Sequence, residues 1–264
     1  MFTRILGIIG KKTILCIGTT LAICVLVFET FNWLFVQPLL GRGLRWKDAI
    51  ENFLEFGYRS LPIVGLISLL VGIIMGMQSA YTLQQWGATI FIANLVGISA
   101  LRELAPLMSA ILITGRSGSA ITAEIGTMKI SEEIDALIVM GLSPFKYLVV
   151  PKFIGMLFAV PCVTVISMAI MIAGGFIVGV GILGLDFWAY FDQTAKALTS
   201  KDLFSGMVKS VFFGLTICWV GIYKGFQVEG SAESVGRMTT SSVVTSIFTI
   251  IIVDLIWTSL FYFS

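Results

Sequence analysis

The sequence predicts an all-α membrane protein, with an N-terminal interfacial or elbow helix followed by five spanning helices. Three observations predict it. Hydrophobic residues make up 57% of the 264 and charged ones only 12%, about half the charged share of a soluble domain, and mean hydropathy is +0.99. The apolar residues gather into runs of the length a bilayer requires, about 20 residues for one helical crossing. Finally, Lys and Arg outside those runs fall almost entirely on one side of the resulting topology.

Composition also excludes several classes. A net charge of +2 with no basic cluster interleaved with aromatics gives no footprint for nucleic acid. Cys16, Cys24, Cys162 and Cys218 all lie inside apolar runs without metal-ligand or disulfide spacing, and the chain has no histidine. The commonest general base is therefore missing. The basic residues before the first apolar run resemble a signal peptide, but that run is too long and lacks a small-residue cleavage site. It reads as retained.

Taken in order, residues 13–36 reach spanning length, yet Thr19, Thr20, Glu29, Thr30 and Asn32 weaken the run. It either crosses the membrane or lies in one leaflet as an interfacial helix. Residues 37–60, with Arg42, Arg45, Lys47 and Arg59, belong outside the hydrocarbon. The first clear span is 61–80, which carries Gly72-x-x-x-Gly76, a spacing that lets helices approach closely. Tyr81 and Trp86 follow as interface anchors. The second span, 88–115, holds Arg102 and Glu103, and the polar stretch 116–152 comes after it. A third span covers 153–183. Residues 186–202 form a loop with a short amphipathic helix around Phe187, Trp188, Tyr190 and Phe191. The fourth span, 203–223, contains Lys209, and the fifth, 241–263, contains Asp254.

The positive-inside rule sets the orientation. With the N-terminal region inside, that side collects Arg4, Lys11, Lys12, Arg42, Arg45, Lys47, Arg59, Arg116, Lys129, Lys146, Lys152, Lys224 and Arg237. The outer side holds only Lys196 and Lys201. Stretch 116–152 is thus cytoplasmic and the C-terminus faces out. Without internal repeats or low-complexity linkers, 1–264 reads as one transmembrane domain. Its 1–60 region is interfacial, and 61–264 is a five-helix core with the cytoplasmic loop 116–152.

Three groups of residues carry chemistry. In the cytoplasmic loop, Ser131 is placed as an N-cap, and Glu132, Glu133 and Asp135 favour the positive end of a helix dipole. Ile134, Leu137, Ile138 and Gly141 form one stripe, and Gly141 with Pro144 stops the helix. A helix this short is marginal alone; it either packs on its own membrane helices or docks a cytoplasmic partner. The second group is Arg102, Glu103, Lys209 and Asp254, ionisable residues within spans, each costing at least about 2.5 kcal/mol near the bilayer centre. They either join helices or line a substrate cavity and gate it. Arg102 and Glu103 lie about 100° apart on a helix and cannot pair with each other. Glu103 can reach Lys209, and Lys209, about 9 Å from its helix end, can instead snorkel outward. The third group, Gly115, Arg116, Gly118, Glu124 and Gly126, marks either close backbone packing or a hinge, with Arg116 and Glu124 as a local ion pair.

LRELAP at 101–106 and GRSGSAITAEIGTMK at 115–129, followed by E-x-I-D-A-L at 132–137 and Met140-Gly141, resemble the signature of the MlaE-type permeases. VKS at 208–210 and Asp254 extend the resemblance, while the first 60 residues match least. The resemblance implies the membrane subunit of an ABC transporter moving phospholipid between bacterial membranes. It implies a homodimer in the inner membrane, docked through the cytoplasmic loop onto a separate ATPase that binds ATP and Mg²⁺. It further implies a periplasmic hexamer of MCE domains and a STAS-domain protein beside the ATPase. The chain itself has no G-x-x-x-x-G-K-[ST] phosphate loop, so this subunit is read as non-catalytic. The reading from another class is an ATPase-independent, ion-coupled carrier using Glu103 and Asp254; many such carriers have an inverted repeat, which is not evident here.

Overall fold

The computed structural model describes residues 28–30, 32 and 45–263. The interfacial or elbow helix expected over 13–36 falls outside the described residues, apart from 28–30 and 32. Among those described, the structure is helical without strands. Five helical stretches are long and apolar enough to cross a membrane. The chain is therefore a multi-pass membrane protein. The five spans expected from hydropathy are all present, but every one runs past its expected end on at least one side. Hydropathy registers only the part in hydrocarbon, whereas a helix satisfies its own backbone bonds and can continue into water.

Helix α1 (Trp46–Phe56) buries Ala49 and Phe56 and leaves Trp46, Ile50 and Leu54 exposed. A tight turn at Tyr58–Ser60 leads into α2 (Leu61–Gln84), so the stretch Trp46–Gln84 is helical almost throughout. Segment 46–60, expected outside the hydrocarbon, is an amphipathic extension packed on the third span. The Gly72 spacing does what its sequence predicts. A Cβ on Gly72 would sit 2.1 Å from Met171 O, and one on Gly174 2.6 Å from Leu69 O. Backbones touch from both sides, and Ser68 Oγ and Ser167 Oγ close the seam at 2.7 Å.

Helix α3 (Thr89–Ile130) has 42 residues, about 60 Å at 1.5 Å per residue. That is twice the hydrocarbon thickness, so its last turns stand beyond the membrane. Two widened π turns interrupt it, at Ala100–Leu104 and Thr114–Gly118. The loop expected to begin at 116 is thus helix as far as Ile130. Polar side chains there report solvent, not loss of helix.

The short helix α4 (Glu133–Val139) begins one step later than its sequence suggests. Ser131 ends α3, and Glu132, at φ 60°, occupies the N-cap position. Ser131 Oγ lies 2.9 Å from Glu133 Oε1. Gly141, at φ 73°, ends the helix as expected, with Leu142 N donating to Leu137 O and Gly141 N to Ile138 O.

Helix α5 (Phe145–Ile182) carries Pro161 internally. Helix α6 (Phe187–Ala197) is the amphipathic helix expected in the outer loop, capped by Asp186 Oδ2 accepting from Ala189 N at 2.9 Å. Its Tyr190 is buried against Phe176, and burial pushes the phenol up to about 12. Helix α7 (Ser200–Phe226) starts with a reciprocal cap between Thr199 and Asp202 and runs between α3, α5 and α8. Helix α8 (Ala232–Phe263) is the least covered span, leaving Val244, Phe248, Ile251 and Leu255 facing outward. The main core lies where α3, α5 and α7 meet, around Ile113, Ile121, Phe153, Met156, Phe213 and Ile217.

Candidate functional site

Three helices bring their ionisable residues together at one level. Lys209 of α7 is 1% exposed, and its Nζ lies 2.6 Å from Glu103 Oε2 of α3 and 3.0 Å from Asp254 Oδ1 of α8. Nζ also donates to Thr258 Oγ1 at 2.7 Å, and Thr258 in turn donates to Glu103 Oε1 at 3.0 Å. An ammonium has three protons, and three oxygen neighbours stand within 3.0 Å of this one. The expected Glu103–Lys209 pair is present. The alternative, Lys209 snorkelling outward, is not seen, since its side chain is 1% exposed. With two carboxylates and a hydroxyl around it, the ammonium is better solvated inside the protein than by stretching to the interface.

Arg102 does not snorkel either. It pairs with Asp202, whose side chain is 2% exposed and whose other oxygen accepts from Thr199 N at 3.0 Å and from Thr199 Oγ1 at 2.6 Å. Asp202 and Lys209 are seven residues apart, two turns along the same face of α7. Arg102 and Glu103 therefore reach different partners at successive levels of one helix, α7. The π turn at Ala100–Leu104 carries both of them, immediately before Pro106, which can give no backbone bond to residue 102 and crowds its carbonyl. Asp202, Thr199 and Thr258 were not among the residues singled out from sequence. The Thr199-x-x-Asp202 capping pattern and the seven-residue spacing to Lys209 were the signals available.

Arg102, Glu103, Ser200, Lys201, Phe204, Ser205, Thr258 and Phe261 line a cavity of about 540 Å³. Glu103 stands in its wall. Lys209 and Asp254 sit behind that wall and hold Glu103 in place.

At the other end of the spans, the residues expected to form a hinge are divided. Arg116 does not pair with Glu124; its guanidinium donates to Ser60 Oγ at 3.0 Å and to Glu55 O at 3.3 Å. Glu124 instead holds the buried Lys152 at 2.6 Å. Eight residues of helix separate Arg116 from Glu124, more than two turns, which puts them beyond each other's reach. Gly118 and Gly126 serve close packing: a Cβ would come 3.0 Å from Ile217 and 2.7 Å from Val228, while one on Gly115 meets open space. In α4, Ile134 is buried and Leu137 partly so, but Ile138, Val139 and Met140 are exposed, alongside Glu132, Glu133 and Asp135. The helix packs on its own protein through Ile134 and in part Leu137, and offers the rest outward.

Comparison with known proteins fits this geometry. The family model described as Permease MlaE matches residues 49–260. The chain belongs to the MlaE permease family. A probable ABC transporter permease protein of Rickettsia prowazekii is 33% identical over 262 residues, covering 99% of both chains. The intermembrane phospholipid transport system permease protein MlaE of Haemophilus influenzae is 33% identical over 238 residues, 89% of this chain and 90% of that one. The chloroplastic protein TRIGALACTOSYLDIACYLGLYCEROL 1 of Arabidopsis thaliana is 32% identical over 227 residues, 86% of this chain and 65% of its own. As an MlaE permease, this chain is an ABC-type transport subunit. The family match spans both the ionic cluster and helix α4.

Proposed function

We propose that this chain is the permease subunit of an intermembrane phospholipid transport system, set in a bacterial inner membrane with its C-terminus periplasmic. It binds and gates as a single permease domain, and a separate cytoplasmic ATPase supplies the energy. A homodimer, an MCE-domain hexamer on the periplasmic side and a STAS-domain protein by the ATPase complete the assembly. The observation that carries this reading is the cavity with Glu103 in its wall, about 40 Å along α3 from the exposed helix α4 at 1.5 Å per residue. A substrate site at one end and an uncovered docking helix at the other suit a subunit driven from outside itself. Phe204 and Phe261 give the cavity apolar walls beside its charged ones, as an amphiphile requires.

The purified assembly should transfer phospholipid between vesicles and a periplasmic acceptor only with ATP. Glu103→Ala should lose that transfer while keeping its dimer and its ATPase. Transfer that ignores ATP but follows a proton gradient would overturn the reading in favour of an ion-coupled carrier. A second test addresses α4. Replacing Glu133 and Asp135 with Lys reverses two exposed charges beside Ile138 and Met140, and the ATPase should no longer co-purify with an otherwise folded permease. Undiminished co-purification would remove α4 from the docking surface.

A further inference from the structure

Helix α6 lies alongside the spans rather than above them. Its Tyr190 is wedged against Phe176, with ring centroids 4.9 Å apart, and a Cβ on Gly179 would come 2.3 Å from the Tyr190 ring. Gln193 donates to Asn94 Oδ1 at 2.9 Å, and Leu198, just past the helix, sits over Gly97. Phe176 and Gly179 come six and three residues before α5 ends at Ile182, and Asn94 and Gly97 five and eight after α3 starts at Thr89. At 1.5 Å per residue, α6 is therefore set about 5–12 Å inside the helix ends.

The spans still present apolar side chains at that level. Phe91 and Leu95 on α3 and Ile177 and Ile182 on α5 are all exposed, and in a membrane-spanning chain such a surface belongs against lipid. Trp86, just past α2 at the same end, is exposed as well, where aromatic residues mark the membrane–water boundary.

Around α6 the side chains sort into three sectors. With 100° between successive residues, Tyr190, Gln193, Thr194 and Ala197 share the sector turned to the protein, and all are buried or half-buried. Trp188, Phe191 and Ala195 lie beside it within about 60° of one another, and all are exposed. Trp188 meets both Phe187 and Phe191 edge-on. The third sector holds the exposed ion pair of Asp192 and Lys196. Protein-facing, apolar and charged sectors in that order suit a helix that touches three media: its own bundle, lipid and water. A soluble partner would give the apolar sector no reason to lie at the depth where the neighbouring spans meet lipid.

We propose that α6 is an in-plane membrane anchor, with Trp188, Phe191 and Ala195 set in the headgroup–acyl boundary of the adjoining leaflet and Asp192 and Lys196 in water. The inference goes beyond the transport reading and needs only that the chain spans a membrane. Ser200, three residues after α6, lines the cavity, so the anchor ties that edge of the cavity to the level of the lipid headgroups.

The test is tryptophan quenching of the full chain in phosphatidylcholine nanodiscs. The wild type is compared with Trp188→Phe, and the difference isolates the emission of Trp188. Lipid brominated high on its acyl chains should quench that difference about twofold more than lipid brominated near the chain ends, since such helices sit about 5–10 Å into the boundary. Iodide in the water should quench it weakly. Nitroxide labels placed singly at positions 188, 191, 192, 195 and 196, with the native cysteines replaced by alanine, read the sectors independently. Oxygen should favour the labels at 188, 191 and 195, and a water-soluble nickel chelate those at 192 and 196. Strong iodide quenching of Trp188 with none from brominated lipid would overturn the proposal and leave the face to a soluble partner, as would equal nickel access at all five positions. Stronger quenching by the deep bromines would overturn it too, by placing α6 in the hydrocarbon core.

Discussion

Lys209→Met should destabilise the permease more than any other single change at the ionic cluster. The substitution keeps the side chain's length but leaves Glu103 and Asp254 facing each other with no cation, and Thr258 without its donor. Removing one partner of a buried ion pair costs about 3–5 kcal/mol, because the charge left behind has lost both water and counter-ion. The lower end applies here, since the Glu103 side chain is 35% exposed and stays partly hydrated. The thermal midpoint in detergent should fall, and lipid transfer should be abolished. The triple variant Lys209→Met, Glu103→Gln, Asp254→Asn removes the stranded charges and should regain most of the stability, as neutral replacements of buried ion networks commonly do. It should not regain transfer. A triple variant that transfers lipid normally would make the cluster a strut between helices rather than part of a gate. A single variant as stable as the wild type would mean that the carboxylates find water on their own.

The contrast between those variants reflects what the sequence could and could not reveal. Ionisable residues deep in apolar runs stand out from composition alone, because hydrocarbon makes each of them expensive. Glu103, Lys209 and Asp254 were legible for that reason, and the Glu103–Lys209 pair followed from opposite sign. The partners of Arg102 and Glu124 were not. Asp202 looks like the end of a loop, and nothing local says that it also caps a spanning helix and binds Arg102 on α3, 100 positions away. Arg116 and Glu124 look like neighbours, but a helix continuing past the membrane separates them. The length of α3 was hidden too, since hydropathy falls where the helix enters water and the backbone does not respond. Spans and deep charges are thus written locally. The matching of charges is written in helix packing.

Gly206→Ala tests that packing where it matters most. Asp202, Gly206 and Lys209 occupy one stripe of α7, separated by four and three residues, so Gly206 stands between the two ion pairs that join α7 to α3. A Cβ there would lie 2.1 Å from Leu101 O, 2.6 Å from Met168 Cε and 3.2 Å from Pro106 Cγ. The Met168 side chain can move aside, but the Leu101 carbonyl belongs to the backbone of the π turn that carries Arg102 and Glu103. One methyl must therefore push α7 away from α3 at the level where both salt bridges close. Overpacking of this kind costs about 1–3 kcal/mol, and here the strain falls on the contacts that hold Glu103 in the cavity wall. Lipid transfer should drop about tenfold or more, the equivalent of about 1.4 kcal/mol, and spin labels at the Thr89 end of α3 and the Ser200 end of α7 should move apart. Gly236→Ala is the matched control. It adds the same methyl to α8 where nothing lies within 4 Å, and better helix propensity should leave it neutral or slightly stabilising. If Gly206→Ala matched that control in both transfer and label distance, α7 would have slack to give, and the ionic cluster would not depend on the close approach of the two helices.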